Sequence, residues 1–369
     1  MNISSFHLGQ KIVIEMMEEN DSVLRNKRIY ELFSRPDFSS KRFIDWAIQH
    51  EIGAVVDLYI KDLDEKIVPS LLKKSFSAFY KINRERAFTM WEEMLMVLEH
   101  LNRENISSIV LKGLPLSFIL WGRIDRRVIQ DIDLLIKPVD LLKSIKLLNE
   151  IGYCAEELSP TWFQNRFLIP YKQDIPLFKD NILVELKPSI DLRGFGFKEK
   201  IEILWGKRKK MVIEDKEIFV LDPVYHFLLI LLHALKHDFS IFKWVVDIKR
   251  FSHVYPDIFK QAEELSKDLK IIKAFIAARN SYYKLIYQGR DSFPIYYSFS
   301  EKVRYYKERL LIRGGFYNGF RFVLRKIFIP TIDDYWNFKL PFFLYFLYYI
   351  IRPFRWINHL VRSKGKKVL

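Results

Sequence analysis

The sequence predicts an α+β protein in which a short mixed sheet with its own helices lies between two helical regions. Residues 1–100 carry apolar side chains at helical spacing and few Gly or Pro. Between 101 and 221, short apolar runs alternate with helical segments and turn residues. From 222 to 369 the helical pattern returns. The expected division is therefore 1–100, 101–221 and 222–369, in line with the two or three domains that a chain of 369 residues implies.

The elements follow in order. Trp46, Ile48, Ile52, Val55, Val56, Leu58 and Tyr59 share helical spacing, as do Phe88, Trp91, Leu95, Val97 and Leu98. Ile106–Leu111 reads as a strand broken by Gly113, with Pro115 where a helix would begin. Asp131–Ile136, DIDLLI, is a second strand ended by Pro138, and Asp140–Asn149 a helix closed by Gly152. Asn181–Leu186 is a third strand, followed by Pro188. Met211–Ile213 and Glu217–Val220 flank Asp215 as a hairpin, and Lys207–Lys210, KRKK, reads as a solvated turn. Asp222 caps a helix with Pro223 at its first position.

Lys and Arg outnumber Asp and Glu by 60 to 45, a net charge of +15. Such a field favours polyanions such as nucleotides, nucleic acid or an anionic membrane face. The lone Cys154 excludes an internal disulfide and suits a reducing compartment. The first residues lack the layout of a secretory signal, so a cytoplasmic protein is expected. Leu340–Ile351, LPFFLYFLYYII, falls short of the roughly 18–20 apolar residues of a spanning helix. Arg352, Arg355, Trp356, Arg362, Lys364, Lys366 and Lys367 follow it. That layout fits peripheral contact with the inner membrane face through 340–367, or a buried helix with a charged tail.

The chemistry concentrates on Asp131 and Asp133. At i and i+2 of a strand they share one face. Two carboxylates on one face repel, and burial is repaid when a cation sits between them. Oxygen ligands suit Mg²⁺ (or Mn²⁺), which takes substrate phosphates as further ligands. Glu185, on a strand able to pair beside the first, is a third candidate, and three carboxylates would let two ions share ligands about 3.5–4 Å apart. Lys112 and Gly113 sit between a strand and a helix start, where backbone amides favour phosphate. Arg123, Arg126 and Arg127 precede the acid strand, in place to hold phosphate oxygens or to lie in a solvated loop. His233 and His237 share a helix face without a third zinc ligand nearby, so packing or substrate contact is expected. Asp247 could orient these groups or face solvent.

Together, LKG, a gap and RRVIQDIDLLI resemble the nucleotidyltransferase superfamily, which includes polymerase-β-like and aminoglycoside nucleotidyltransferases. The pattern is a strand, a glycine motif, a helix, a DxD strand and a later acid, here Gly113, Asp131, Asp133 and Glu185. The chain is more closely similar to the uncharacterised nucleotidyltransferase family found near bacterial surface-polysaccharide and peptide-tailoring genes. LLHALKHDFSIFKWVVDIKR resembles that family's C-terminal segment through His233, Lys236, His237, Trp244 and Asp247, and the likeness covers most of residues 40–250. Two departures stand out. Leu114 follows Gly113 where Gly or Ser is usual, and Glu185, Leu186 and Lys187 stand where the family commonly has Asp-Leu-His. The resemblance implies a nucleotidyltransferase-fold core and metal-dependent transfer of a nucleoside monophosphate from a nucleoside triphosphate to an acceptor hydroxyl on a sugar, glycolipid or peptide. The alternatives are an RNA-directed protein or a non-catalytic membrane-associated scaffold of the same fold. No aromatic-plus-basic RNA motif is present, which weighs against the RNA reading.

Overall fold

A computed structural model of the chain describes residues 3–18, 21–154, 161–168, 174–190, 201–288, 320, 324–325 and 327–362. Five helices lead: α1 (Ile3–Met16), α2 (Ser22–Phe33), α3 (Ser40–Gln49), α4 (Gly53–Ile60) and α5 (Ser70–Arg103). The core follows as β1 (Ser108–Leu111), α6 (Gly113–Trp121), β2 (Asp131–Ile136), α7 (Leu141–Glu150), the short α8 (Thr161–Phe163), β3 (Ile175–Lys179), β4 (Ile182–Lys187), α9 (Ile201–Gly206), β5 (Arg208–Ile213) and β6 (Lys216–Leu221). Then come α10 (Pro223–Lys236), α11 (Lys243–Val254), α12 (Ile258–Asp268) and α13 (Ile272–Gln288). The expected α+β arrangement, a short mixed sheet with flanking helices, holds.

The six strands form one sheet in the order β3-β4-β2-β1-β6-β5. β1 runs antiparallel to β2, and β2 parallel to β4. Strand alternation divides the core between the two faces. Ile109, Leu111 and Leu135 point into a cluster shared with α1, α3, α4, α10, α11 and α13. Val110, Ile132, Leu134, Ile136, Val184 and Leu186 point into a second cluster, built with α5 and α7. The helices before and after the sheet sequence thus pack together on one of its faces.

Three local readings change. β3 was not foreseen: Ile175–Lys179 contains Pro176, which a ladder tolerates only where its missing N–H faces an open edge, and β3 is an edge strand. KRKK is not a turn. Arg208–Lys210 open β5, the opposite edge, where exposed lysines discourage pairing with another chain. α6 begins at Gly113, so Pro115 is its third residue rather than its first. The α10 start matches expectation: the Asp222 carboxylate accepts from Val224 N at 3.0 Å. No helix among the described residues is long and apolar enough to cross a membrane. Lys364, Lys366 and Lys367 lie outside the described residues.

A candidate metal and nucleotide site at the start of β2

Register builds the site. Asp133 lies opposite Leu111 on β1 and opposite Glu185 on β4. The turn after β1, the DxD pair and the later acid therefore meet at one end of the sheet. Period-two alternation puts Asp131, Asp133, Glu185 and Lys187 on a common face, while Ile132, Leu134, Val184 and Leu186 are buried on the other. One carboxylate oxygen from each of Asp131, Asp133 and Glu185 lies within 4.8 Å of the others, a spacing that could hold a metal ion.

These acids line a cavity of about 280 Å³ together with Lys112, Asp174, Lys187, His233 and Lys236. Lys187 is central. Its Nζ lies 2.5 Å from Glu185 Oε2, 2.9 Å from Asp174 Oδ2 and 3.1 Å from Asp133 Oδ1. Burial disfavours its charge, but the three carboxylates outweigh burial and keep the ammonium protonated. The Asp133 Oδ1 contact is ionic, that buried oxygen having no hydrogen-bond partner among the described residues. Burial also opposes the charge of Asp133, yet Lys112 and Lys187 hold its pKa below the usual carboxylate range. Asp131 shifts the other way, raised by burial and by Asp133. Glu185 is raised too, chiefly by burial.

The turn before α6 is strained. Lys112 has φ 49° and ψ −140°, and Gly113 has φ 45°. A left-handed backbone at a lysine persists only when its surroundings enforce it. Here His226 does so: its Nε2 accepts from Lys112 N at 2.8 Å. That contact places the ring proton on Nδ1, which is buried without a partner among the described residues. Burial, then Arg127 and Lys112, lowers the His226 pKa to about 3, so the ring stays neutral. A Cβ on Gly113 would meet nothing closer than Asp131 O at 3.6 Å, so glycine serves the conformation rather than the space. Lys112 Nζ reaches over the site, 3.3 Å from His233 Nδ1 and 4.0 Å from Asp133 Oδ2.

Several expected residues take other places. Arg126 and Arg127 do not line the cavity. Arg126 Nη1 binds Asp57 Oδ2 at 3.0 Å and its guanidinium stacks 3.8 Å from the Tyr80 ring. Arg127 Nε binds Asp247 Oδ2 at 3.0 Å, and its charge opposes a small part of the rise in the Asp131 pKa. Both pairs are buried, and these two guanidinium groups are engaged by protein carboxylates away from the cavity. Arg123 is held by Asp125 at 2.8 Å. Asp247 is buried as the partner of Arg127, not solvent-facing. His233 and His237 pack against each other and against Trp244 in tilted and edge-on contacts, and of the two only His233 lines the cavity. Sequence reasoning missed His226 and Asp174. A histidine inside the apolar run YHFLLILL was the available signal, because a buried polar ring needs a partner.

A mixed sheet with a DxD pair, a third acid on the neighbouring parallel strand and a glycine turn defines a nucleotidyltransferase-like protein. The chain belongs to the uncharacterised nucleotidyltransferase family, whose sequence model matches residues 36–280. No curated protein matches the chain. One solved structure similar to it is an antigenic nucleotidyltransferase-like protein from Paracoccidioides brasiliensis. It shares 14% identity, covers 50% of this chain and 90% of its own, and superposes with a TM-score of 0.28.

Proposed function

We propose that the protein transfers a nucleoside monophosphate from a nucleoside triphosphate to an acceptor hydroxyl. The observation that supports this most is the register that gathers the Lys112–Gly113 turn, Asp131, Asp133 and Glu185 at one end of the sheet. The donor set fits a hard divalent ion such as Mg²⁺ or Mn²⁺: all three candidate ligands are carboxylates with one oxygen each within 4.8 Å of the others, and all three line the cavity. Held by Asp131 and Asp133, with the Glu185 carboxylate beside them, such an ion would supply positive charge against the triphosphate and the departing pyrophosphate.

The chain's own groups do the rest. The first amides of α6 and the Lys112 ammonium receive phosphate oxygens, and the His226 bond fixes the turn that presents them. Glu185, its charged form disfavoured by burial, takes the acceptor's proton as the acceptor oxygen attacks the α-phosphorus in line. The cavity's helical wall, with His233 and Lys236, faces the acceptor, for which a sugar, glycolipid or peptide is proposed.

Calorimetric titration of each nucleoside triphosphate, with and without Mg²⁺, tests the reading. Binding that needs Mg²⁺ and vanishes in Asp131→Asn/Asp133→Asn is expected. Binding that ignores both the ion and the substitutions would overturn it.

We also propose that the 340–367 segment rests on an anionic membrane surface. Phe342, Phe346, Ile350 and Phe354 recur every four residues and are exposed, beside a chain of charge +15. Flotation with vesicles containing phosphatidylserine is expected for the full chain and lost on truncation after residue 339. Equal flotation of both would remove this contact.

A further inference from the structure

We propose that Lys187 occupies the seat of a second divalent ion, so that the site takes one ion with each nucleotide rather than two. The inference rests on the nucleotidyltransferase reading above and adds a stoichiometry to it. Sites with three shared carboxylates commonly hold two ions about 3.5–4 Å apart, bridged by the acids they share. In this chain the second position already holds a cation. Lys187 Nζ is ringed by Glu185 at 2.5 Å, Asp174 at 2.9 Å and Asp133 at 3.1 Å, contributed by β4, the residue before β3, and β2. The side chain is buried, and it reaches this point from the same strand face as Glu185, two residues on.

An ion in the corner between Asp133 and Glu185 needs their oxygens at about 2.1 Å. Those oxygens already face the ammonium, and two cations cannot share them at such range. The opposite corner differs. Asp131 has no hydrogen bond or ion pair among the described residues, and its carboxylate opens on the cavity beside Lys112. The charges agree with a single ion. Asp131, Asp133, Asp174 and Glu185 face Lys112 and Lys187 in the wall, while Lys236 stands exposed at the rim. The carboxylates outnumber the ammonium groups of the wall, an excess that a divalent ion offsets.

The test counts manganese. Protein is equilibrated with Mn²⁺ and each common α,β-methylene ribonucleoside triphosphate, passed through a desalting membrane, and bound metal and nucleotide are measured with an electron paramagnetic resonance spectrum of the same sample. The expected ratio is one Mn²⁺ per bound nucleotide, with no dipolar coupling between ions, in the wild type and in Lys187→Arg. In Lys187→Ala the ratio should rise to two and a coupled pair should appear. Two coupled ions in the wild type would overturn the inference while leaving the transferase reading intact. A ratio of one in a cooperatively folded Lys187→Ala would overturn it as well. Should Lys187→Ala not fold, the wild-type and Lys187→Arg ratios decide. Failure of the wild type to bind any analogue with Mn²⁺ would overturn both the inference and the reading it rests on.

Discussion

Two groups of buried charges lie close together in this protein, and they are built differently. Beneath the loop before β2, Arg126 meets Asp57 and Arg127 meets Asp247, one cation to one anion, each at 3.0 Å. At the start of β2 carboxylates outnumber the ammonium groups in the wall. A matched pair satisfies itself, and removing one member leaves a buried charge exposed to low dielectric. An unmatched group of acids is satisfied only by something from outside. The matched group ties α4 and α11 to the loop; the unmatched group is the one proposed above to take a ligand.

The largest effect that separates the two groups should come from the acids. Asp131→Asn/Asp133→Asn is expected to lower nucleotidyl transfer by about a thousand-fold or more, since several kcal/mol of charge stabilisation is lost. Asp131→Asn alone, which relieves repulsion with Asp133, should leave the melting temperature unchanged or higher. A large fall in melting temperature for Asp131→Asn would mean that this acid too is architectural.

Next in size is the matched group. Arg127→Met should destabilise by about 3–5 kcal/mol in urea unfolding, because Asp247 is left charged and buried. Arg127→Met/Asp247→Leu should recover most of that loss. If the double variant is as unstable as the single one, the pair is not a self-contained unit.

The histidines give a smaller effect, with a definite direction in pH. Burial lowers the pKa of His226 to about 3 and that of His50 to about 4, against an ordinary value near 6.5. The unfolded chain therefore takes up protons first as pH falls. The stability these rings contribute is complete above about pH 6.5 and is lost as pH drops through 6.5 toward 4 and 3. Between pH 6.5 and 5.5 each ring should cost about 1 kcal/mol, the slope rising toward the limit of ~1.4 kcal/mol per unit. Unfolding of wild type and His226→Gln at these two pH values checks this, with a shallower slope expected in the variant.

At the small end, Lys210→Ala removes a 2.8 Å pair with Glu217 on the exposed face of β5 and should change stability by less than about 1 kcal/mol.

The acid end of the sheet was legible because its signals are local. DIDLLI carries the strand, the shared face and the apolar backing within six residues, and the bounds Asp131–Ile136 match. Asp222 and Pro223 announce α10 in the same way. The fates of Arg126 and Arg127 were not legible, because their partners lie 69 and 120 residues away in sequence and only tertiary packing joins them. β3 hid behind Pro176, which reads as a breaker until the strand is known to be an edge. Lys187 stood out as a departure from the family's usual residue, but of its three acidic neighbours only Glu185 is on its own strand; Asp133 on β2 and Asp174 before β3 are brought to it by the sheet.

The central claim is that the unmatched acids serve transfer of a nucleotidyl group. Incubating the protein, Mg²⁺ and a small-molecule extract of the producing cells with a nucleoside triphosphate labelled at the α- or the γ-phosphorus tests it most directly. The account predicts a product that carries the α label and never the γ label, formed by wild type and lost in Asp131→Asn/Asp133→Asn. A product carrying the γ label, or an α-labelled product that persists in the double variant, would contradict it.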